Sequence, residues 1–444
     1  MTQANRNPLD PQANSGLLEN FGLQSISGDA RAARSITWDS RNADQHTAFA
    51  ALPGESTHGN AFVQQALEQG APFVLTDLDV PRGVRVNDAT IALHGWARSW
   101  RDASRARIVG ITGSAGKTTA KEFAAAALNC GKTPGNLNTL NAIACYLLSS
   151  VQPDTTHVVE MGIDRIGEMV ELVGLVNPDL GVVVAVGPAH LEFLGSLEGV
   201  AFEKGRIFAG RAGLVSESAA QYYLKLENPV LGAPKLESYG FSEGVTHRGA
   251  ALELTDSSAT YTYCNHRAHV SSPSAKVAEA SLLGLVLAEK LGVPLEDAIQ
   301  RIADVNVPGG RMRVERGTYT LIDDAYNANP LSVNAALDVL ERQSGRKIAV
   351  LGDMRELGEH AETYHREIGK RAGQVAHVVI AVGEWANVFS SAARESGAKA
   401  IALQTVQDAI NEVSALLEPS DTVLVKGSLR IGLGTLSEVI RARL

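Results

Sequence analysis

The stretch Val109-Gly110-Ile111-Thr112-Gly113-Ser114-Ala115-Gly116-Lys117-Thr118-Thr119 decides the fold. The apolar run Ile108–Gly110 enters it as a strand, and the alanine-rich segment Lys117–Asn129 leaves it as a helix. Between them the glycines let the backbone curl. Successive N–H groups from Gly113 to Thr119 can thereby face phosphate oxygens. The helix N-terminus adds partial positive charge. Lys117 would reach the β- and γ-phosphates, and the Thr118 hydroxyl would coordinate Mg²⁺. The usual loop has a glycine where this chain has Ile111, so the match is to the shorter pattern T-G-x-x-G-K-T. The stretch predicts an α/β fold with a central P-loop domain that binds ATP and Mg²⁺.

The rest of the chain is consistent with that class. Its 444 residues suggest about two to four domains. Apolar residues make up 45% and charged residues 20%, enough for an ordinary core in each. The net charge of −9 argues against a nucleic-acid partner, which needs a basic face to neutralise phosphates. Cys130, Cys145 and Cys264 are too few and too scattered for a disulfide framework, and read as small buried apolar residues. No apolar run is long enough for a membrane span. Met1–Asn14 lacks the apolar stretch of a secretory signal, so a cytoplasmic protein is expected.

Outward from the loop, the pattern divides in three: residues 1–105, 106–312 and 313–444. Residues 1–22 read as a loose polar lead-in. Phe62–Gly70 reads as a helix and Pro72–Thr76 as a strand. In the middle part His157–Met161 and Val182–Val186 are continuous apolar runs, typical of strands buried on both faces. Ala275–Leu291 is a long helix stopped by Gly292 and Pro294. Pro308-Gly309-Gly310 is a breaker cluster and a candidate hinge. Beyond it Tyr319–Asp323, Lys347–Gly352, His377–Val382 and Asp421–Val425 alternate with helical stretches, the pattern of a parallel sheet.

Five polar residues then stand out, each with a plain alternative. Glu160 ends an apolar strand at its carboxyl end, where such sheets place ligands, or it is a hydrogen-bonded structural acid. His190 follows another strand and is a ligand or a satisfied loop histidine. Lys204, read alone, is a surface lysine. Asp324 is a ribose contact or a turn former. Arg311 sits at the hinge, where it reaches a phosphate on closure or stays solvated.

Longer motifs choose between these readings. His157-Val-Val-Glu160-Met-Gly162, Val186-Gly187-Pro188-Ala189-His190-Leu191-Glu192 and Phe202-Glu203-Lys204-Gly205-Arg206-Ile207-Phe208 resemble the Mur ligase family, as do Gly310-Arg311 and Asp323–Pro330. The resemblance covers nearly the whole chain. It implies a three-domain architecture with a central P-loop domain and a Rossmann-like C-terminal domain. It implies Glu160, His190 and a carbamylated Lys204 as metal ligands beside Thr118. It gives Lys117, His190 and Lys204 to catalysis, and Arg311 and Asp324 to ATP. Carbamylation needs a neutral, sheltered amine, and burial lowers a lysine pKa.

Within the family, Asp39-Ser40-Arg41, Leu194–Val200, Tyr326–Pro330 and Val350–Gly358 resemble the branch that joins D-alanyl-D-alanine to a UDP-N-acetylmuramoyl-tripeptide. That branch makes Ser40, Arg41, Asn136, Asn138, Asn327 and Asn329 the candidate substrate contacts. A monomer is expected. The Asp-Asn-Pro-Arg motif of the sister ligase for the third stem residue does not occur. After the P-loop helix the chain reads Asn136-Leu137-Asn138-Thr139-Leu140-Asn141-Ala142, keeping two of the branch's three asparagines. The opening of the long helix, Ser274–Ser281, has no asparagine for adenine. The implied reaction is carboxylate activation by ATP followed by amine attack. Other readings are a sister ligase with a different amine, a P-loop kinase or switch ATPase, and a degenerate ligase acting as a scaffold.

Overall fold

The computed structural model describes residues 7–54, 56–224 and 236–444. Four sheets organise them. The N-terminal sheet has five strands, Leu23–Ile26, Gly83–Val86, Val74–Thr76, Thr47–Ala50 and Ser35–Thr37 in spatial order. All its pairings are parallel except that of Leu23–Ile26 with Gly83–Val86.

Residues 7–22 are tied to the core and do not form the expected loose lead-in; the expectation for residues 1–6 lies outside the described residues. Leu9 and Leu18 are fully buried, and the chain from Ser15 passes through a short helix into the edge strand. Two well-placed leucines are enough to tie a polar segment onto a core. A 16-residue helix, Ala89–Ser104, then crosses to the central unit, opened by the Asp88 carboxylate on the N–H groups of Thr90 and Ile91. The Trp100 indole donates to Val151 O and Arg101 to Val176 O. One continuous apolar core joins this helix to the helix Leu140–Ser150.

The central sheet has seven strands, all parallel. Arg107–Thr112 lies between Leu180–Val183 and Thr156–Glu160. From Arg107–Thr112 the chain goes to the edge strand Gly131–Lys132, returns through Thr156–Glu160, and then crosses to Leu180–Val183 on the other side. The crevice at the carboxyl end of Arg107–Thr112 is therefore a topological switch point, where ligands bind such sheets. One face of this sheet is covered by the packed helices Lys117–Leu128 and Ala275–Leu291. A three-stranded antiparallel meander, Ala250–Leu254, Ala259–Tyr263 and His266–Val270, adds to the same core. The sequence reading missed this meander. It also took Cys264 for a buried residue, whereas Cys264 is exposed at the hairpin tip with φ 47° beside Asn265 at 65°.

The C-terminal sheet runs Arg313–Arg316, Thr320–Asp323, Thr422–Lys426, Lys347–Gly352, Val378–Val382, Lys399–Leu403. Five strands are parallel; the edge strand Arg313–Arg316 is antiparallel to Thr320–Asp323. Apolar clusters cover both faces.

The long helix approaches the P-loop helix at Gly284, where an added Cβ would lie 2.9 Å from Phe123 O and 3.2 Å from Ala127 Cβ. A branched side chain there must push two helices apart. Gly284→Leu is expected to destabilise the protein by about 1–3 kcal/mol, read as a lower denaturant midpoint with an unchanged slope. An unchanged midpoint would mean that the helices are not held at this spacing.

Candidate active site

The P-loop has the backbone that its glycines require. Gly116 sits at φ 78° as the cap of the helix Lys117–Leu128. Gly113 lies so close to the next strand that a Cβ would fall 2.6 Å from Val184 Cγ2. The Ser114 hydroxyl donates to Gly187 O at 3.0 Å and accepts from Gly187 N at 3.1 Å. The loop is thus bound to the segment that carries His190.

Below the loop, charges converge on Glu160. It is 2% exposed. Its Oε2 accepts from the Thr118 hydroxyl at 2.9 Å and lies 3.3 Å from Lys121 Nζ. Its Oε1 accepts from the Asn138 amide at 3.0 Å. Asn138 comes this near because Gly162 has no Cβ; one there would sit 2.6 Å from Asn138 Cγ. Lys121, one turn beyond Lys117, is fully buried and donates to Gly135 O at 2.5 Å. The sequence reading did not single it out. Its signal was the spacing of four from Lys117, which puts both on one helix face.

Lys117 is half-buried, and its Nζ donates to Gly113 O at 2.7 Å. Burial pulls its pKa down, against the opposing pull of Glu160 and Asp164. Lys204 lies on the helix Leu197–Gly205 and is fully buried, with no hydrogen-bond partner for Nζ. The surface-lysine alternative is therefore excluded. Burial, and then repulsion from Lys117, hold this amine well below the usual lysine range.

His190 stands at φ 56° as the cap of the short helix Leu191–Leu194. Its Nδ1 meets the Glu356 carboxylate and lies 3.4 Å from Asp164 Oδ1. Glu356 comes from the C-terminal unit, and His190 holds its carboxyl below the usual range.

Arg311, at the end of the central part, stacks over the Tyr326 ring of the C-terminal unit at 3.7 Å. The remaining residues come from that unit. Asp324 Oδ1 accepts from Met312 N at 3.0 Å and Oδ2 pairs with the buried Lys426 at 2.5 Å. Burial raises the Asp324 pKa while Lys426 opposes it. Lys426 is a second buried lysine that sequence reading passed over. Asn329 caps the helix Pro330–Arg342 through Ser332 N, and its amide donates to Ser114 O at 2.8 Å. One amide N–H of Asn329 thus remains for a ligand. Asn327 is exposed, and its side chain accepts from Ala328 N.

Most of these residues surround one cavity of about 1420 Å³; Lys121, Lys204 and Glu356 are not part of its lining. Ser114–Thr119, Asn136, Asn138, Glu160 and His190 line it from the central unit, and Arg311, Asp324, Asn327 and Asn329 from the C-terminal side. The N-terminal unit contributes Trp38, Thr90 and His94. Ser40 and Arg41 do not line it. Ser40 is buried against Gln65 at 3.3 Å, and Arg41 is exposed and turned onto Asp39. The run Asp39-Ser40-Arg41 marked the right neighbourhood, since Trp38 adjoins it, but not the lining side chains.

The donors suit a hard cation. Thr118 and Glu160 place two oxygens beside the phosphate loop, the ligand type Mg²⁺ takes. Among the described residues no group of three His, Cys, Asp or Glu side chains is placed to hold a metal alone. A metal here would need further oxygens, from phosphates or from a modified Lys204.

The Mur ligase middle domain family model matches residues 111–282, and that of the Mur ligase glutamate ligase domain matches residues 310–429. The UDP-N-acetylmuramoyl-tripeptide--D-alanyl-D-alanine ligase of Treponema pallidum is 32% identical, covering 93% of this chain and 95% of its own. Its Escherichia coli counterpart is 31% identical over 92% and 93%. The solved MurF from Acinetobacter baumannii has a TM-score of 0.83 at 26% identity, covering 97% of this chain and 98% of its own. MurF from Thermotoga maritima, solved in complex with ADP, has a TM-score of 0.78 at 25% identity over 92% and 97%. With two domain models matched in order and relatives aligned along almost the whole length, the chain belongs to the Mur ligase family.

Proposed function

We propose that this chain is an ATP-dependent ligase that joins D-alanyl-D-alanine to a UDP-N-acetylmuramoyl-tripeptide, a step of peptidoglycan precursor synthesis. The observation that carries the reading is the junction of the P-loop with Asp324, Arg311 and Asn329 around one cavity. The near full-length relatives named for this reaction support it.

A carboxylate is a poor acylating agent because its leaving group is oxide. Transfer of the γ-phosphoryl group of ATP to a carboxylate oxygen makes an acyl phosphate and ADP. The amine then attacks the carbonyl carbon, phosphate leaves, and the nitrogen gives up a proton. Most of the catalysis is positioning and charge neutralisation. In this reading Lys117 faces the β- and γ-phosphates, and Arg311 meets the γ-phosphate. Asp324 holds the ribose, with Lys426 fixing its carboxylate. Asn136 and Asn138 face the UDP-sugar peptide. Asn327 and the free N–H of Asn329 contact the dipeptide. Mg²⁺, when bound, would neutralise the phosphates, held by Thr118, Glu160, His190 and a carbamylated Lys204. The geometry around Lys204 supports that modification: a neutral, sheltered amine can add to CO₂ and lose a proton, becoming a carboxylate.

Residues 1–105 would then hold the UDP end, 106–312 the phosphates, and 313–444 the amine. The Pro308–Gly310 segment is the hinge on which the last part moves. Every residue the reading needs lies in one chain, so a monomer suffices. Use of ATP and a UDP-linked substrate suits the cytoplasm; no helix among the described residues is long and apolar enough to cross a membrane.

Phosphate release from ATP should require both the UDP-tripeptide and an amine, with D-alanyl-D-alanine far better than D-alanine or L-lysine. Equal kcat/KM for L-lysine would move the chain to a sister branch, and amine-independent hydrolysis would remove it from the ligases. Lys117→Ala should lower kcat by about 100- to 1000-fold with an unchanged melting curve. Near-normal turnover at saturating ATP would remove Lys117 from the phosphate site.

For Lys204, ¹³C-labelled bicarbonate should give a carbamate resonance that Lys204→Ala abolishes. Acetate should partly restore the activity of that variant. A fully active Lys204→Ala protein would refute the role.

A further inference from the structure

The run Val350–Gly358 has a well-defined place in the fold but no task in the ligase reading above. Its first residue beyond the strand Lys347–Gly352 is a clamp. Asp353 accepts from Glu384 N at 2.8 Å and from Trp385 N at 3.0 Å. Met354 N donates to His365 Nε2 at 3.0 Å, and that buried histidine meets Ala361 O through Nδ1. The segment is therefore fixed to the body of the C-terminal unit just before Glu356.

Glu356 is held in turn against the central unit. Its backbone O accepts from Glu192 N at 3.3 Å, and Gly358 packs against Glu192. Its carboxylate is in ion-pair contact with His190 Nδ1, a buried nitrogen that makes no hydrogen bond of regular geometry in this arrangement. Glu356 at φ 62° and His190 at φ 56° both occupy the left-handed region, which side-chain-bearing residues rarely adopt. Such conformations persist where the surroundings over-determine them, and they concentrate at functional contacts. Two of them face each other across this junction.

We propose that Glu356 is a positioning residue for His190. With a small reorientation its carboxylate accepts the Nδ1 proton, fixes the tautomer, and leaves the Nε2 lone pair free for the reacting site. An imidazole used as a ligand or base commonly has its second nitrogen tied to a carboxylate in this way. The acceptor belongs to the C-terminal unit, whereas His190 belongs to the central one. The imidazole is therefore set only when the two units meet, which links closure to competence. Asp164, the other acid facing Nδ1, lies farther away at 3.4 Å and comes from the central unit itself, so it cannot make that link.

The activity readout rests on the ligase reading; a spectroscopic readout does not. In the ligase assay, Glu356→Ala should lower kcat by about 10- to 100-fold while changing the KM for ATP less than about threefold. Glu356→Gln keeps an acceptor oxygen for Nδ1–H and should recover most of that loss. Glu359→Ala, on the same segment but pointing to solvent, is the matched control and should behave as wild type. In ¹⁵N-histidine-labelled protein, the His190 signal, assigned by its absence in His190→Gln, should report the Nδ1–H tautomer. Glu356→Ala should shift it toward Nε2–H, and Glu356→Gln should not. An unchanged tautomer in Glu356→Ala overturns the proposal whatever the wild type catalyses. So does a loss of kcat that Glu356→Gln fails to recover, because the contact would then be a mere ion pair between units.

Discussion

Glu160 carries a carboxylate into the interior at the carboxyl end of its strand, and the phosphate site is assembled by satisfying it. Thr118 and Lys121 reach Oε2, Asn138 reaches Oε1, and the Thr133 hydroxyl accepts from the Glu160 N–H. An unpaired carboxylate at that depth costs several kcal/mol. Two separate pieces of chain, the helix Lys117–Leu128 and the loop with Asn138, must therefore close on one side chain, while Thr133 holds its backbone. Thr118 and Lys121 are three apart on one helix, so meeting both sets the rotation of that helix about its axis. The same rotation leaves Lys117 at the mouth of the loop. Asn138 can take its place only because residue 162 is glycine.

Burial makes the Lys117 and Lys204 amines less basic; Arg311 adds repulsion at Lys117, and Lys117 adds it at Lys204. A polyanion entering the cavity meets groups already desolvated and oriented, so little reorganisation remains at the moment of reaction. Lys204, fully buried and without a hydrogen-bond partner, is the amine on which the proposed carbamylation would fall.

The P-loop was legible because it is coded locally. Glycine positions, strand and helix lie within about a dozen residues, and each constrains the next. Glu160 and His190 were legible as carboxyl-end residues of apolar strands, since the sheet rule converts strand position into site position. Lys204 was not. Its helix has little amphipathic contrast to reveal which face is inward, and its burial follows from the apolar core around Val200, Ala201, Ile207 and Phe208. Ser40 and Arg41 lie off the cavity lining for a local reason. The run was in the right place, but Asp39 lies two residues away and captures Arg41, turning it from the cavity. Lys121, Lys426 and Glu356 act through partners distant in sequence, at 39, 102 and 166 residues' separation, and no periodicity reports such pairs.

The junction between the central and C-terminal units is made of small, separable contacts. Asn329 caps its own helix with one atom and holds the P-loop carbonyl of Ser114 with another. Leu331 fills the space above Gly187, where a Cβ would fall 2.1 Å from Leu331 Cδ1. Each hydrogen bond of this kind contributes about 0.5–1.5 kcal/mol net. A ligand that touches both units can make or release such contacts with a modest part of its binding energy. That is what a ligase with three substrates requires. The cavity must open far enough to admit a nucleotide-linked peptide, yet close far enough to exclude water from an acyl phosphate. A junction built on one large apolar surface would hold the units together permanently. One built on a cap, a leucine and a carboxylate–imidazole contact can be opened and reset with every turnover.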